Sequence, residues 1–315
     1  MCTALTYKAG HHYFGRNLDL ERGYGEKVVI TPRNYPFHFR HTGNMDCHYA
    51  MIGMAAIADN YPLYFDATNE KGLSIAGLNF PDNAQYYPVK KDAINIASFE
   101  LVPYILGVCR NIQEAKETLK NINISNDNFR SDLPASPLHW LIGDKQASIT
   151  LECTKTGLQV YDNPFGVLTN NPPFSYHMTN ISNFMSLNNG SADNRISREI
   201  SMENYSLGMG AIGLPGDFSS ASRFVKAVFV KENSNCEEDE VASVNQFFHI
   251  LASVAMPKGC VKTPSGEYEY TRYSCCCNMD TLSYYFSTYE NSTIRKVKME
   301  EERMVGKQLI DFSID

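Results

Sequence analysis

With 315 residues, 43% hydrophobic and 20% charged, the chain has material for a sizeable core and for one large or two ordinary domains. A formal net charge of −7 and a pI near 5.6 exclude a general nucleic-acid binder, which needs a surplus of Lys and Arg to meet phosphates. The longest nearly apolar run, AMIGMAAIA at residues 50–58, is too short to span a bilayer, and residues 1–8 lack the charged and apolar halves of a signal peptide, so the expected location is the cytoplasm with no membrane partner.

No internal repeat or low-complexity linker marks a domain boundary. Residues 2–7 and 12–17 read as the two arms of a hairpin turning around Lys8, Ala9 and Gly10. LYFDATNEKGLSIAGLNF places a second turn at residues 69–72 between apolar arms. SFELVPYILGVCRNIQEAKETLKNI reads as helical, with Ser98 as N-cap, Ile112, Ala115 and Leu119 at helical spacing, and Pro103 requiring an early break or a first-turn position. LHWLIGDKQASITLECTKTGLQVYDN gives three strands separated by GDKQ and TKTG, an antiparallel meander. DEVASVNQFFHILASVAM predicts a helix with Val241, Val244, Phe248, Leu251 and Val254 or Ala255 on one face, and YSCCCNMDTLSYYFSTY supplies a last hairpin. Strands outnumber helices and the turns favour antiparallel pairing, which predicts an α+β protein with helices layered on sheet.

The nine cysteines, an odd number scattered along the chain, point to reduced thiols. SCCCN contains no C-x-x-C pair, and neighbours on a strand face opposite ways, so Cys275, Cys276 and Cys277 read as packed side chains and no metal or cofactor is expected. The position that stands out is Cys2. A thiol nucleophile needs a base, and none of the eight histidines sits in a context that marks it as that partner. His139 and His249 lie among apolar residues as core histidines would, and His11 and His12 fall at a turn.

A cysteine at the amino terminus carries its own base. An α-amino group titrates at about 7.7–8.0, against about 10.4 for lysine, so it is partly neutral near pH 7. Its tether to the nucleophile removes the entropy of bringing the two together. This chemistry requires removal of Met1, which a small second residue permits. With the first turn near Ala9, cross-strand positions sum to 18 or 19 and Cys2 faces Arg16 or Asn17. Arg16 would then lower the thiol pKa and steer an anionic substrate. Asp19 could accept hydrogen bonds from the terminal ammonium, but regular alternation puts it on the face opposite Arg16, so the strand must bend between them.

MCTAL, FGRNLDL, DATNEKGLSIAGLNFP, PLHWLI, GVLTNNP, GLPGDFSSASRF and FFHILASV, in this order from Met1 to about Tyr289, resemble the choloylglycine hydrolase family of N-terminal nucleophile hydrolases, and within it the bile salt hydrolases. The resemblance implies a four-layer αββα sandwich in a single domain over residues 1–315, active once Met1 alone is lost. It places the nucleophile at Cys2, the arginine and aspartate of R-N-x-D at Arg16 and Asp19, an oxyanion-hole amide at Asn79, and active-site polar groups at Asn170 and Arg223. Read alone, Asn79 and Asn170 would be turn residues ahead of a proline, and Arg223 a helix-surface charge.

The family positions lining the steroid pocket match Leu18, Tyr24, Phe65, Phe129, Leu133 and Leu138, any of which could equally be core. The implied substrates are glycine- and taurine-conjugated bile salts, cleaved through a thioester on Cys2. Penicillin V acylase is the alternative, disfavoured by asparagine rather than tyrosine at position 79. The resemblance also implies a homotetramer assembled through an extension around residues 188–217. A non-catalytic binding module would have lost the nucleophile or its neighbours, and a redox or metal protein would rest on Cys275, Cys276 and Cys277.

Overall fold

The first hairpin fixes everything that follows. The structure, a computed structural model, describes residues 1–314. Strand Cys2–Ala9 reverses at Gly10 into strand His11–Leu20, pairing from Ala9 with His11 down to Cys2 with Leu18. Gly10 has a φ of 61°, and a Cβ there would lie 2.3 Å from the Glu238 carbonyl oxygen, so both the backbone and the space require glycine. Because Gly10 itself carries the turn, cross-strand positions sum to 20 rather than 18 or 19. Cys2 therefore faces Leu18, and Arg16 pairs with Ala4 as the diagonal neighbour of Cys2 on the same face.

This hairpin sits inside a seven-stranded antiparallel sheet in the order Val167–Leu168, Cys2–Ala9, His11–Leu20, Tyr268–Asn278, Ser283–Thr288 and Arg295–Lys298, with Val261–Lys262 added to the long fourth strand. An eight-stranded antiparallel sheet faces it. Its order is Gly157–Asp162, Ser148–Thr154, Leu138–Gly143, Ser74–Asn79, Tyr61–Asn69, Met51–Ala58, Lys27–Thr31 and Ile310–Ser313. The turn at residues 69–72, the three-stranded meander and the last hairpin all lie where the sequence predicts them.

Alternation sorts the second sheet's side chains into two cores. Val28, Ile30, Ala76, Leu78 and Leu141 join Ala4, Phe14 and Cys275 between the sheets, while Val29, Ile75, Trp140 and Ile142 meet Leu101 and Ile105 of helix Leu101–Val108 on the other face. Helices Ser220–Glu232 and Glu240–Ala252 lay Phe224, Ala227, Val244, Phe247 and Leu251 against the outer face of the first sheet. The result is helix, sheet, sheet, helix, the αββα sandwich of an α+β protein.

Two local expectations are corrected. The first predicted helix is a 3₁₀ turn at Ser98–Glu100, a helix at Leu101–Val108 and a second helix at Ile112–Leu119. Asn111 restarts the helix by accepting the Glu114 amide on its side chain, Ala97 rather than Ser98 precedes the 3₁₀ turn, and Pro103 falls in a first turn. In helix Glu240–Ala252, Val244 and Leu251 are buried as predicted, but Val241 is 72% exposed in the first turn and Phe247 and Ile250 complete the face instead. Helix Ser220–Glu232, given no bounds by the sequence although Arg223 alone reads as a helix charge, opens on Ser219, whose side chain accepts the Ser222 amide. Among the described residues no helix is long and apolar enough to cross a membrane.

Candidate active site

Cys2 begins the strand second from the edge of its sheet, with its side chain buried. Its backbone nitrogen donates to Asn170 Oδ1 at 2.7 Å, and its carbonyl accepts from Arg223 Nη1 at 2.5 Å. Arg223 also donates to Thr3 Oγ1 and to Asn170 Oδ1, each at 2.7 Å, so one guanidinium ties the nucleophile's backbone to the asparagine. Arg223 is thus 1% exposed at the sandwich interior, not a helix-surface charge. Burial lowers its pKa, opposed by Asp19 and Cys2. Asn170 Nδ2 donates to the Asn79 carbonyl at 2.7 Å, while the Asn79 side-chain amide makes no hydrogen bond among the described residues.

Arg16 is wholly buried. Its Nη1 donates to the carbonyls of Phe65 at 2.9 Å and Gly77 at 2.5 Å, and its Nη2 has no hydrogen-bond partner. Burial would lower its pKa, but Cys2, Tyr273, Asp66 and Cys275 together hold it above the ordinary value. Asp66 is the buried counter-charge: its oxygens accept from Tyr273 at 2.7 Å and Tyr284 at 2.6 Å. Burial still raises the Asp66 pKa, with Arg16 opposing.

Asp19 accepts from Thr271 Oγ1 at 2.6 Å on Oδ1, and its Oδ2 is buried without a partner. The sequence predicts a bend in the strand of Arg16 and Asp19 itself; the irregularity in the structure lies instead in the neighbouring strand, where pairing slips between Asp19 with Thr271 and Leu18 with Tyr273, leaving Arg272 as a bulge. Burial pushes the Asp19 carboxyl above the usual range, against Arg223 and the terminal ammonium. Met1 continues the pairing: its ammonium donates to the Asp19 carbonyl at 2.9 Å and contacts Glu269, and its carbonyl accepts the Asp19 amide at 3.1 Å. Burial lowers the pKa of that ammonium.

All six polar residues predicted from the sequence therefore belong to one connected neighbourhood. The apolar set divides. Leu18 opposes Cys2, Leu138 opposes Asn79, and Phe65 offers its carbonyl to Arg16 and its ring to exposed Tyr24 at 6.4 Å. Phe129 and Leu133 belong to a separate turn, where Phe129 packs on Tyr61 and Phe99. Sequence reading missed Asp66, Tyr273, Thr271 and Ser220. A carboxylate inside the apolar run LYFDA was the available signal for Asp66. No group of three or more His, Cys, Asp or Glu suited to a metal occurs among the described residues.

A thiol at the head of an αββα sandwich, with its nitrogen and carbonyl captured by an asparagine and a buried arginine, defines an N-terminal nucleophile hydrolase. Comparison gives the family. Residues 2–312 match the linear amide C–N hydrolases of the choloylglycine hydrolase family, and the chain belongs to that family. It is 50% identical over 314 residues to a bile salt hydrolase/transferase of Lactiplantibacillus plantarum, covering all of this chain and 97% of that one. It is 40% identical over 316 residues to a conjugated bile acid hydrolase of Lactobacillus gasseri, covering 99% and 100%. The C2A mutant of the conjugated bile acid hydrolase of Clostridium perfringens superposes with a TM-score of 0.92 at 34% identity, covering 100% and 97%. A penicillin V acylase of Agrobacterium tumefaciens shares the fold, with a TM-score of 0.74 at 17% identity.

Proposed function

We propose that the chain hydrolyses the amide of glycine- and taurine-conjugated bile salts through a thioester on Cys2. The observation that carries the reading is the double capture of the Cys2 backbone by Asn170 and Arg223, in a chain that aligns end to end with bile salt hydrolases. Loss of Met1 turns the Cys2 nitrogen into an amine, held by Asn170 Oδ1, and Asp19, whose backbone pairs with Met1 and whose Oδ2 has no partner, is the carboxylate to steady its charge. That amine takes the thiol proton as sulfur attacks the carbonyl carbon, and gives it to the departing glycine or taurine nitrogen.

The free Asn79 amide stabilises the oxyanion, Arg16 stands beside the sulfur, and water then releases the bile acid. Leu18, Tyr24, Phe65 and Leu138 line the steroid's path beside Cys2, with the separate turn of Phe129 and Leu133 as its proposed far wall. Because thioesters also react with amines, transfer of the bile acyl group to an amino acid is a second outcome of the same intermediate, in keeping with the hydrolase/transferase relative. Residues 1–315 act as a single domain. The exposed Ile196, Tyr205, Leu207 and Ile212 on the segment 188–217 support assembly, as a homotetramer. Nine unpaired cysteines support a reducing, cytoplasmic setting.

Glycocholate, taurocholate and penicillin V, assayed side by side, test the substrate. Amine release from the bile salts is expected to be faster than phenoxyacetate release, and the reverse ranking would overturn the reading. Intact mass should show active protein shorter by one methionine; full activity in chains that retain Met1 contradicts the amine's role.

A further inference from the structure

Two buried histidines stand one residue away from three of the site's polar groups. His139, on strand Leu138–Gly143, directs Nε2 at the Thr169 carbonyl, 2.9 Å away, and stacks its ring on Phe80 with centroids 4.2 Å apart and planes 5° off parallel. Thr169 precedes Asn170 and Phe80 follows Asn79. His177, in helix Phe174–Asn180, directs Nε2 at the carbonyl of Asn170 itself, 2.9 Å away, and stacks on Phe224, which follows Arg223. Both rings are fully buried.

A carbonyl only accepts, so each Nε2 carries a hydrogen. His139 Nδ1 meets Glu152 Oε1 at 3.1 Å, and that oxygen also accepts the Phe174 amide at 2.9 Å. Glu152 thereby joins the strand that holds His139 to the helix that holds His177. The backbone of Asn170 is tethered on both sides, its amide donating to Ser220 Oγ at 2.8 Å and its carbonyl accepting from His177.

We infer that His139 and His177 are positioning residues, which fix the Thr169–Asn170 backbone so that the Asn170 amide meets the Cys2 nitrogen, Arg223 and Asn79 together. A position needing only volume would be filled by Leu or Phe, because a buried imidazole without acceptors carries a desolvation cost. Here both Nε2 acceptors are consecutive carbonyls of one active-site segment. No hydrogen bond links either histidine to Cys2 among the described residues, so neither serves as its base. The inference rests on the reading of Asn79, Asn170 and Arg223 as active-site groups.

The test is a pair of amide substitutions. Gln places its side-chain nitrogen near the position of Nε2, whereas Asn reaches only the position of Nδ1. His177→Asn therefore drops the bond to the Asn170 carbonyl and His177→Gln restores it, at similar buried polarity. Per folded molecule, His177→Asn is expected to lose about 30- to 100-fold in kcat with KM within about threefold, and His177→Gln to stay within about fivefold of the parent. At position 139, Gln keeps the Thr169 contact and gives up Glu152, Asn does the reverse, and Gln is expected to be the more active.

Equal losses in Asn and Gln variants, a loss that appears in KM, or a loss confined to melting temperature would each overturn the inference. If the variants at 177 do not fold, the pair at 139 decides. If neither pair folds, the histidines serve folding alone and the inference falls. The fold-changes are taken on whichever linear amide the parent cleaves, so an error about bile salts leaves this test standing.

Discussion

Cys2 and the run Cys275, Cys276 and Cys277 lie in one sheet, two strands apart, and all four thiols are buried. Arg16 stands between them, pairing with Ala4 on one side and Cys275 on the other. The two sets differ in their company. The Cys275 thiol faces the Asp66 carboxylate at 3.5 Å; burial holds Cys275 and Cys276 well above the usual thiol range and pushes Cys277 up to about 12. Cys2 sits at a chain end whose nitrogen and carbonyl are held by Asn170 and Arg223. Burial alone neither activates nor silences a thiol; the adjoining charge and an available base decide.

The strongest way to break the comparison is to exchange sulfur for oxygen on each side. Cys2→Ser should fold and lose turnover by at least about 10³-fold, since nothing else supplies the nucleophile. Preserved activity would remove Cys2 from its role. A smaller effect sharpens the part played by the nitrogen. Burial holds the Met1 ammonium below its ordinary 8.0; once Met1 is lost the terminal amine belongs to Cys2, whose nitrogen donates to Asn170 Oδ1. That amine must be neutral to take the thiol proton, so kcat/KM should climb with pH as its ammonium loses a proton. Asp19 favours the ammonium form, so Asp19→Asn should move the climbing limb further toward acid, and a shift toward alkali would contradict the assignment. The smallest effect is expected in the triplet: Cys276→Ser should leave turnover unchanged and cost about 1–2 kcal/mol in denaturant unfolding.

The hairpins and the meander were legible because turn residues and period-2 patterning are local signals. Register was not, since it hinged on whether Ala9 or Gly10 carries the reversal, a difference of one residue that changes which side chain opposes Cys2. The break between the two helices at Leu101–Val108 and Ile112–Leu119 had a readable sign in Asn111 followed by Glu114, a capping pattern inside an otherwise helical run. Cys2, Arg16 and Asp19 could be argued from the terminal thiol and the hairpin, whereas Asn79, Asn170 and Arg223 came only from the ordered motifs. Their supports were out of reach, because Asp66 meets Tyr273 across 207 positions of sequence and His139 meets Thr169 across 30. His139 reads as an ordinary core histidine until the carbonyl it holds is known.

The terminus itself has a consequence for maturation. Met1 is paired with Asp19 through both backbone groups, its ammonium turned onto the neighbouring strand rather than free in solvent. A peptidase that trims one residue must grip a loose, extended end, and this end is sewn into a sheet once the first hairpin closes. Trimming is therefore expected to be faster before the first hairpin closes than after it, when Met1 is paired with Asp19.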